Sequence, residues 1–350
     1  MLEEIVEPLL SWYGQNKREL PWRQEPTPYH VWISEIMLQQ TRVEAVKGYY
    51  ARFLHRLPAI RDLALCPQEE LLKLWEGLGY YNRVKNMQKA AIEIEEKYQG
   101  EIPPDYQKIL SLPGIGSYTA GAIASIAYKL PFPAVDGNVL RVMARLTEDG
   151  EDILKQKTKK RVEDMLKEIM PTDFPGEFNQ SLMELGATVC LPKGMPRCGE
   201  CPVRKFCRSQ AKGTMLDYPK KAEKKPRKVE ERTVLIIQNN QEFAIHKRPP
   251  KGLLAGLYEL PNREGYLSRE EILDYVESLG LLPLHISTAG EAKHIFSHVE
   301  WRMKGYFIKV ASTEEKKIGE LIFVDKKESR GRYPIPSAFS AYRKYMEEDF

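Results

Sequence analysis

The sequence predicts two domains, a helical domain followed by an α+β domain, and three observations lead to this fold class. The chain has 350 residues, a length that suggests two domains. In the first 207 residues, apolar positions recur at helical spacing, as in EELLKLWEGLGYY and VKNMQKAAIEIEEKY. Towards the C-terminus, runs such as TVLIIQ and ELIFVD are rich in β-branched and aromatic residues, which is typical of strands. We therefore expect a helical domain over residues 1–218, a linker over 219–232 and an α+β domain over 233–350.

The composition and the N-terminus limit the class of protein. Hydrophobic residues make up 42% of the chain and charged residues 29%, as in soluble globular proteins. The formal net charge of +4 permits nucleic-acid binding without requiring it. The N-terminal MLEEIVEPLLSWYGQ lacks the basic and apolar regions of a signal peptide. No apolar run reaches the length of about 18 residues that a membrane span needs, so we expect a cytoplasmic protein without a membrane partner.

The predicted linker is the charged segment PKKAEKKPRKVEER at residues 219–232. Its basic side chains outnumber its acidic ones by seven to three, so it is expected to repel itself and to extend in solvent. A spacer is the simplest interpretation, and a basic tether along DNA phosphates is the alternative. In the domain beyond, SREEILDYVESLG predicts a helix, because Ser268 suits the N-cap, Glu271 completes a capping box and Gly280 follows its end.

Four of the five cysteines fall within 18 residues and are candidates for a metal centre. Cys190, Cys198, Cys201 and Cys207 are separated by seven, two and five residues. In a reducing compartment such a cluster indicates a metal or redox site before it indicates disulfides. Zinc ribbons usually pair two C-x2-C knuckles, whereas one close pair is present here. We therefore expect a structural [4Fe–4S] cluster, with zinc as the alternative, and an inert core thiol at Cys66.

The segment LPGIGSYTAG at residues 112–121 predicts a tight turn between two helices. Gly114 and Gly116 tolerate the positive φ that such turns need, and they keep side chains away from the backbone N–H groups that start the next helix. Those donors, helped by the helix dipole, can hold a phosphate. Geometry alone also explains glycines in such a turn, so this segment by itself leaves both interpretations open.

Two carboxylates stand in surroundings that invite a functional explanation. Glu35 lies inside the otherwise apolar run VWISEIMLQQTRV, where burial of a charge without a partner is costly. A structural explanation is a buried pair with an arginine such as Arg42. Asp136, in PFPAVDGNVLRVMARL, precedes a predicted helix and suits an N-cap, which stabilises a protein by roughly 1 kcal/mol. Neither segment alone decides between a structural and a catalytic role.

Together, the LPGIGSYTAG turn, the aspartate of VDGNV and the four cysteines resemble the helix-hairpin-helix DNA glycosylase superfamily. LPWR (20–23), VWISEIMLQQTRV and WEGLGYYNRVKN (75–86) make the resemblance specific to the MutY adenine DNA glycosylases. GLLAGLYELP (252–261) and IFSHVEW (295–301) look like the recognition domain of that family.

The resemblance implies a fold and a reaction. The helical domain should contain a six-helix module at about 21–130 and a second module formed by the N-terminus and about 131–218, which carries the cysteines. The C-terminal domain should be Nudix-like. The expected reaction is the removal of adenine paired with 8-oxoguanine or guanine in duplex DNA.

The resemblance also implies a catalytic set. Glu35 corresponds to the acid that protonates the adenine at N7, and Asp136 to the carboxylate that stabilises positive charge on the sugar. Asn138 and Tyr118 complete the set, and Tyr118 stands where the bifunctional endonuclease III members carry a lysine. Because a tyrosine cannot form a Schiff base, we expect a monofunctional enzyme that leaves an abasic site.

Further positions are implied to touch DNA or its bases. The residues expected to bind DNA are Gln40, Tyr80, Gly114, Gly116 and Ser117. Of these, Gln40 and Tyr80 should push into the base stack when the adenine is flipped out. Gln180 and Trp22 are expected to contact the adenine, and Ser297 and His298 to read 8-oxoguanine.

The Nudix-like domain lacks the metal-binding box of a working hydrolase. That box, G-x5-E-x7-R-E-U-x-E-E, holds Mg²⁺ through its glutamates. Here nine residues separate Glu259 from Arg269, and Asp274 and Tyr275 replace the expected pair of glutamates. We therefore expect no pyrophosphatase activity.

The alternatives are a bifunctional endonuclease III-like enzyme, a thymine mismatch glycosylase of the same superfamily, and a binder of damaged DNA without chemistry. Tyr118 and the second domain argue against the first, the Nudix-like domain against the second, and the presence of both Glu35 and Asp136 against the third. The expected partner is double-stranded DNA with an adenine mispair. We expect a monomer, and the linker offers a site for repair or replication proteins.

Overall fold

The computed structural model describes residues 2–223 and 226–347. The chain divides into two compact units, one formed by Met1–Leu65 and Asn86–Glu223, the other by Cys66–Lys85 and Lys224–Phe350. Two residues of the predicted linker and the last three residues of the predicted α+β domain lie outside the described residues. The predicted fold class, a helical domain and an α+β domain, is confirmed.

In its described residues, the first unit consists of helices and loops. The α-helices described up to the linker are α1 (Val6–Asn16), α2 (Pro21–Gln24), α3 (Pro28–Leu38), α4 (Val43–Arg56), α5 (Ile60–Leu65), α6 (Gln68–Leu74), α7 (Asn82–Tyr98), α8 (Tyr106–Ser111), α9 (Ser117–Ala122), α10 (Gly137–Thr147), α11 (Gln156–Glu168), α12 (Pro175–Thr188) and α13 (Arg208–Lys212). Of these, α6 belongs to the second unit, and α7 begins in the second unit and continues in the first. A π-helical turn, Ile123–Ala127, continues α9. No helix in the described part of the chain has the length and apolar character needed to cross a bilayer.

Helix α3 is buried almost all round, which explains the apolar run that the sequence shows. Thr27 caps its N-terminus by accepting from the backbone N–H of His30, and Pro28 occupies the first turn, where its missing N–H costs nothing. Every residue from Val31 to Met37 is buried. A helix that is apolar on all sides belongs in a core, so Glu35 enters that core with the rest of its helix.

A second core joins the N-terminal helix to the helices that follow Asp136. Leu9 of α1, Val139 of α10, and Phe178 and Leu182 of α12 are fully buried in one cluster. Close approach of α12 to α10 requires a glycine, because a Cβ on Gly186 would lie 2.6 Å from the Cβ of Asn138. The packing of α12 therefore fixes the position of the residues that start α10.

The second unit is built on a mixed sheet. Its strands, in the described residues, are β1 (Lys228–Asn239), β2 (Glu242–Lys247), β3 (Tyr258–Glu259), β4 (Asn262–Glu264), β5 (Pro283–Ile295), β6 (Val299–Val310), β7 (Lys317–Ile318) and β8 (Leu321–Val324). The order across the sheet is β5-β6-β1-β2-β8-β7, with β3 paired to β2 and β4 to β1. β1 and β6 are parallel, and the other pairs are antiparallel. The helices of this part are α14 (Arg269–Ser278), α15 (Lys326–Gly331) and α16 (Lys344–Glu347).

Alternating residues of β1 fill two cores, one on each face of the sheet. Val234 and Ile236 pack in a cluster with Trp301 and Phe339. Leu235 and Ile237 pack on the opposite face, in a cluster that includes residues of α14. This alternation is the period of two that a strand imposes. Helix α14 is capped as predicted, with both hydrogen bonds of the Ser268–Glu271 capping box present and Gly280 at a positive φ just beyond its end.

Two predicted boundaries differ from the structure. The linker was predicted to extend to residue 232, but β1 already begins at Lys228, and Lys228 to Arg232 align with Val299 to Met303 of β6. The prediction was wrong there because charged side chains report exposure to solvent, and they do not prevent the backbone from joining a sheet. The division of the helical domain into two modules stays a prediction.

The second difference concerns Cys66–Lys85, which was predicted to lie in the helical domain but groups with the second unit. Its polar side chains bind the C-terminal part of that unit. Lys73 Nζ donates to the carbonyls of Ser329 and Tyr333 at 3.2 and 3.1 Å, and Tyr258 Oη donates to Glu69 Oε1 at 2.8 Å. These contacts join residues far apart in the chain, which local sequence patterns do not reveal.

Candidate active site

One pocket of the first unit, with a volume of about 710 Å³, is lined by all six residues predicted for adenine binding and catalysis. The predicted residues that line it are Trp22, Glu35, Gln40, Tyr118, Asp136, Asn138 and Gln180. They come from α2, α3, the loop after α3, α9, the start of α10, and α12. The sequence positions are up to 158 residues apart, so the fold itself assembles this pocket.

Glu35 is a buried acid of the pocket with a strongly raised pKa. Its side chain lies in α3 and the residue is 6% exposed. Burial raises the pKa of Glu35 to about 7; a hydrogen bond from the Tyr118 hydroxyl opposes this rise, the charge of Asp136 adds to it, and Arg23 opposes it. In the described residues its hydrogen-bond partner is Tyr118 rather than Arg42. A carboxyl group with this pKa can give a proton near neutral pH.

Asp136 is placed both to cap a helix and to line the pocket. It is the N-cap of α10, where Oδ1 accepts from the backbone N–H of Val139 at 2.7 Å, and it also lines the pocket. Asn138 Nδ2 donates to the other carboxylate oxygen at 2.7 Å. Burial raises the pKa of Asp136, and these two hydrogen bonds limit the rise. The cap therefore fixes the direction in which the carboxylate faces.

Asn138 accepts a hydrogen bond from Arg141, which also donates to the backbone of Cys190. Arg141 Nη2 donates to Asn138 Oδ1 at 3.0 Å and to the Gly186 carbonyl at 2.7 Å. Arg141 Nε donates to the Cys190 carbonyl at 3.0 Å. A continuous series of hydrogen bonds thus connects Asp136 with the first of the four clustered cysteines.

The sequence prediction missed a charged group that lines the pocket. Glu184 of α12 is fully buried and accepts from Arg18 Nε at 2.5 Å and from Arg23 Nη2 at 2.8 Å. Burial disfavours the charge of Glu184, but the two arginines outweigh burial and hold its pKa below the usual value. Arg23 belongs to the LPWR motif, which pointed to this site in the sequence. No local sequence pattern indicated its partner Glu184, which is 161 residues away.

The four clustered cysteines line one apolar pocket. Cys190, Cys198, Cys201 and Cys207 share it with apolar side chains such as Val142. Arg145 Nη1 lies 3.3 Å from Cys190 Sγ, and burial raises the pKa of the Cys201 thiol to about 12. Among the described residues, no group of three or more His, Cys, Asp or Glu side chains is arranged around a position for a single metal ion. Cys66 is buried apart from this group, as predicted.

The predicted phosphate-binding turn forms between α8 and α9. Gly114 has φ +76°, and a Cβ there would lie 2.6 Å from the Cβ of Asn86, so two separate constraints require glycine. Gly116 is the N-cap of α9 with φ −97°, which any residue can adopt, and a Cβ there would meet open space. The Ser117 hydroxyl donates to Glu163 Oε1 at 2.7 Å.

The two residues predicted to enter the base stack share an unusual backbone conformation. Gln40, in the first unit, has φ +61°, and Tyr80, in the second unit, has φ +47°. Both side chains are exposed. Left-handed backbone in residues other than glycine is uncommon and is often found at functional positions, since the surrounding structure must hold it there.

The residues predicted to read 8-oxoguanine lie at a hairpin tip in the second unit, between β5 and β6. Ser297 Oγ lies 3.2 Å from Tyr80 Oη, and the His298 carbonyl accepts from the backbone N–H of Lys228. Ser297, His298 and Tyr80 line a pocket of about 640 Å³ together with residues 252–255. Residues 79–83 of the glycosylase-like segment and residues 295–298 of the recognition segment therefore line one pocket of the second unit.

Comparison with known proteins agrees with this arrangement. A family model described as HhH-GPD superfamily base excision DNA repair protein matches residues 33–171, and a NUDIX domain model matches residues 232–345. The adenine DNA glycosylase of Homo sapiens is 34% identical over 85% of this chain and 65% of its own length. That of Rattus norvegicus is 33% identical over 85% and 69%, and that of Buchnera aphidicola subsp. Acyrthosiphon pisum is 36% identical over 77% and 76%.

Solved structures resemble the helical part. A thermostable thymine-DNA glycosylase is 27% identical, with a TM-score of 0.55 over 60% of this chain and 97% of the other. An endonuclease III in a non-covalent complex with DNA is 26% identical, with a TM-score of 0.52 over 61% and 96%. The chain thus spans about two thirds of the length of its mammalian relatives and 97% of the thymine-DNA glycosylase structure.

Proposed function

The chain belongs to the adenine DNA glycosylase family, and on this premise we propose that it removes adenine paired with 8-oxoguanine or guanine in duplex DNA and leaves an abasic site. The observation that carries the proposal is the convergence of Glu35 and Asp136 in one pocket. Two carboxyl groups in different environments suit the cleavage of a glycosidic bond. Glu35 can give a proton near neutral pH, and Asp136 accepts hydrogen bonds that hold it in place.

Glu35 supplies the proton in this proposal. Adenine is a poor leaving group until N7 is protonated. The pKa of about 7 leaves a large fraction of Glu35 protonated at neutral pH, and the hydrogen bond from Tyr118 fixes the carboxyl group within the pocket. The adenine must leave the duplex to reach this pocket, and Trp22 and Gln180 line the space that it would enter.

Asp136 stabilises the charge that forms when the bond breaks. Loss of adenine leaves oxocarbenium character on the deoxyribose, and a fixed carboxylate stabilises that charge without reorganising. The hydrogen bonds from Val139 and Asn138 provide the fixed position. Water then attacks the sugar and releases the abasic product.

Tyr118 is the basis for proposing a monofunctional enzyme rather than a bifunctional one. A tyrosine at this position offers no amine to the sugar. Lys159 and Lys221 do line the same pocket. The test must therefore include reduction with borohydride, which would trap a Schiff base from either lysine.

The decisive experiment is single-turnover cleavage of duplexes with adenine opposite 8-oxoguanine or opposite guanine, with an 8-oxoguanine·cytosine duplex as control. Each sample is divided and treated with or without alkali. We expect breaks that depend on alkali, fastest for adenine opposite 8-oxoguanine, and no borohydride-trapped complex. Release of no adenine from either mispair would favour a protein that binds without chemistry, and breaks without alkali would favour a bifunctional enzyme.

We propose that Ser297 and His298 read 8-oxoguanine. Their hydroxyl, imidazole and backbone N–H groups at the hairpin tip could meet the N7–H and O8 edge that distinguishes 8-oxoguanine from guanine. Ser297→Ala and His298→Ala should lower the preference for 8-oxoguanine over guanine opposite adenine. Ser287→Ala and His285→Ala, at exposed positions of β5 in the same unit, are matched controls. An unchanged preference in the first pair would contradict this role.

We also propose that the four clustered cysteines hold a [4Fe–4S] cluster. The four cysteines line one apolar pocket, and Arg145 donates to the sulfur of Cys190. This arrangement suits an iron–sulfur cluster, which cysteine thiolates bind. When bound, the cluster would cross-link four positions of the segment that joins α12 to α13. Iron and acid-labile sulfide should be present in equal amounts, and Cys201→Ser should lower both. Zinc without sulfide would contradict the proposal.

A further inference from the structure

Glu259, which stands at the first glutamate position of the broken Nudix box, is buried in the second unit beside a histidine and an arginine. It lies in β3 and is 3% exposed. His246, directly opposite on β2, places Nε2 3.0 Å from Oε1, and Arg248 places Nη1 2.6 Å from Oε2. Burial disfavours the charge of Glu259, but these partners outweigh burial and hold its pKa below the usual value. Protein side chains thus bind both oxygens of this carboxylate.

Arg248 uses its other donors on the loop that joins β2 to β3. Arg248 Nε donates to the Leu253 carbonyl at 2.9 Å, and its backbone N–H donates to the Leu257 carbonyl at 2.8 Å. Its guanidinium also lies over the ring of the buried Trp301, 5.7 Å from the centroid. One arginine therefore connects Glu259, the sheet core and the loop.

The loop, residues 252–256 (GLLAG), has a conformation that needs such support. Gly252 and Gly256 have φ of +93° and +74°, and Leu254 has φ +56°. A leucine in the left-handed region persists only when its surroundings hold it there. In the part of the chain that the structure describes, the holding contacts include Arg248, Gly256 N–H to the Pro249 carbonyl, and Lys85 Nζ to the Ala255 carbonyl.

The same loop forms a wall of the pocket that contains the hairpin tip. Residues 252–255 line it together with Tyr80, Ser297 and His298. The shape of this pocket therefore depends on the loop, and the loop depends on Arg248. Glu259, at the first glutamate position of the broken box, thus orients the arginine that holds the loop.

We propose that Glu259 and Arg248 are positioning residues, which hold the 252–256 loop in the shape that the pocket needs to distinguish 8-oxoguanine from guanine. This inference rests on the proposed function, in which the pocket reads the base opposite adenine. Neither residue is expected to touch the base. Their effect should appear in the preference between the two partner bases rather than in adenine release as such.

The test uses the full chain with Glu259→Gln and Arg248→Lys. Glutamine keeps the shape of the side chain and loses the charge, while lysine keeps the charge and cannot bridge the carboxylate and the Leu253 carbonyl together. Glu264→Gln, at an exposed position of neighbouring β4, is the matched control. If Glu259→Gln does not fold, Arg248→Lys still leaves a cation beside Glu259 and carries the test.

Two measurements are made on each variant. The order of the loop is measured by hydrogen exchange at the amides of 252–257 and, in separate samples, by the rate of tryptic cleavage after the exposed Lys251. Single-turnover rates opposite 8-oxoguanine and opposite guanine report the preference. We expect faster exchange and a preference reduced about tenfold, the effect of losing one charged hydrogen bond, with Glu264→Gln unchanged in both.

The outcomes separate this inference from the proposed function. Faster loop exchange with an unchanged preference would overturn the inference and leave the proposed function intact. Unchanged exchange and preference in both variants would also overturn it. A wild-type chain with no preference between the two partner bases would overturn the proposed reading of 8-oxoguanine and this inference with it.

Discussion

The hydroxyl of Tyr118 donates a hydrogen bond to Oε2 of the buried Glu35 carboxyl group. Burial and the negative charge of Glu35 raise the pKa of Tyr118 well above its usual value, so the hydroxyl keeps its proton and remains a donor. The bond favours the ionised form of Glu35 and opposes the effect of burial. Tyr118 therefore adjusts the acidity of the carboxyl group that we propose as the catalytic acid.

Tyr118→Phe should extend activity to higher pH. Without the hydrogen bond, the pKa of Glu35 should rise above about 7, and the proton needed for catalysis should be retained further into the alkaline range. The maximal rate should fall, because a weaker acid transfers its proton less readily. Single-turnover rates measured across pH test this through the midpoint of the alkaline limb.

A matched control for this prediction is Tyr128→Phe. Tyr128 also loses a hydrogen bond, since its hydroxyl donates to the Ile102 carbonyl away from the pocket. The Tyr128→Phe variant should change the free energy of unfolding without shifting the dependence of the single-turnover rate on pH. An alkaline limb that stays in place in Tyr118→Phe, or that moves equally in both variants, would show that Tyr118 does not set the acidity of Glu35.

Glu35→Gln should abolish adenine release and stabilise the fold at alkaline pH. The pKa of Glu35 is raised from 4.5 to about 7 on folding, so the folded state holds a proton that the unfolded state has lost between these values. The stability due to this group is fully present below pH 4.5 and is lost as the pH rises through 7. At pH 8 the variant should be more stable by about 3 kcal/mol, the free-energy equivalent of this shift.

Urea unfolding of the two proteins at a series of pH values measures this difference. The gain should shrink on acidification and vanish below pH 4.5, where Glu35 is protonated in both states. A gain that is the same at every pH would mean that packing, rather than ionisation, distinguishes the two side chains.

Tyr80→Ala and Tyr80→Phe should differ strongly in their effects. The hydroxyl of Tyr80 lies 3.2 Å from Ser297 Oγ, but the residue is 49% exposed, so this hydrogen bond contributes little and Tyr80→Phe should slow excision only about two- to fivefold. Tyr80→Ala removes a ring that can stack on exposed bases, so the free energy of binding to a mispaired duplex should weaken by about 1–3 kcal/mol. Affinities for mispaired duplexes and single-turnover rates measure both effects. Equal losses in the two variants would assign the role to the hydroxyl.

Features encoded within a few residues could be predicted from the sequence. The Ser268–Glu271 capping box, the turn at Gly114 and the capping position of Asp136 rest on short-range hydrogen bonds and backbone preferences, and the structure contains each of them. The burial of Glu35 followed from the apolar run around it, because a helix that is apolar on all sides must lie in a core.

Features that depend on distant parts of the chain could not be predicted in this way. Glu184 accepts from Arg18 across 166 positions, and neither residue is distinctive in its own segment. The grouping of Cys66–Lys85 with the second unit depends on contacts such as Lys73 to Ser329. Such pairings arise from tertiary packing, which periodicity and composition do not record.

Gly186→Ala should disturb catalysis through Asn138 rather than through direct contact with DNA. A Cβ on Gly186 would lie 2.6 Å from the Cβ of Asn138 and 3.3 Å from its backbone, so Asn138 must move. Asn138 Nδ2 donates to Asp136, and the displacement should loosen the carboxylate that we propose stabilises the sugar. We expect at least about a tenfold loss of rate, with a cost of about 1–3 kcal/mol in the free energy of unfolding.

The control for Gly186→Ala is Gly14→Ala in α1, where an added Cβ meets nothing within 4 Å. That variant should keep its rate and gain up to about 1 kcal/mol in stability from higher helix propensity. A double-mutant cycle with Asn138→Ala then identifies the route. If Gly186 acts through Asn138, the two losses of rate should not add, because either change alone releases the Asp136 carboxylate. Fully additive losses would mean that Gly186→Ala weakens catalysis by deforming α12 itself, with Asn138 contributing independently.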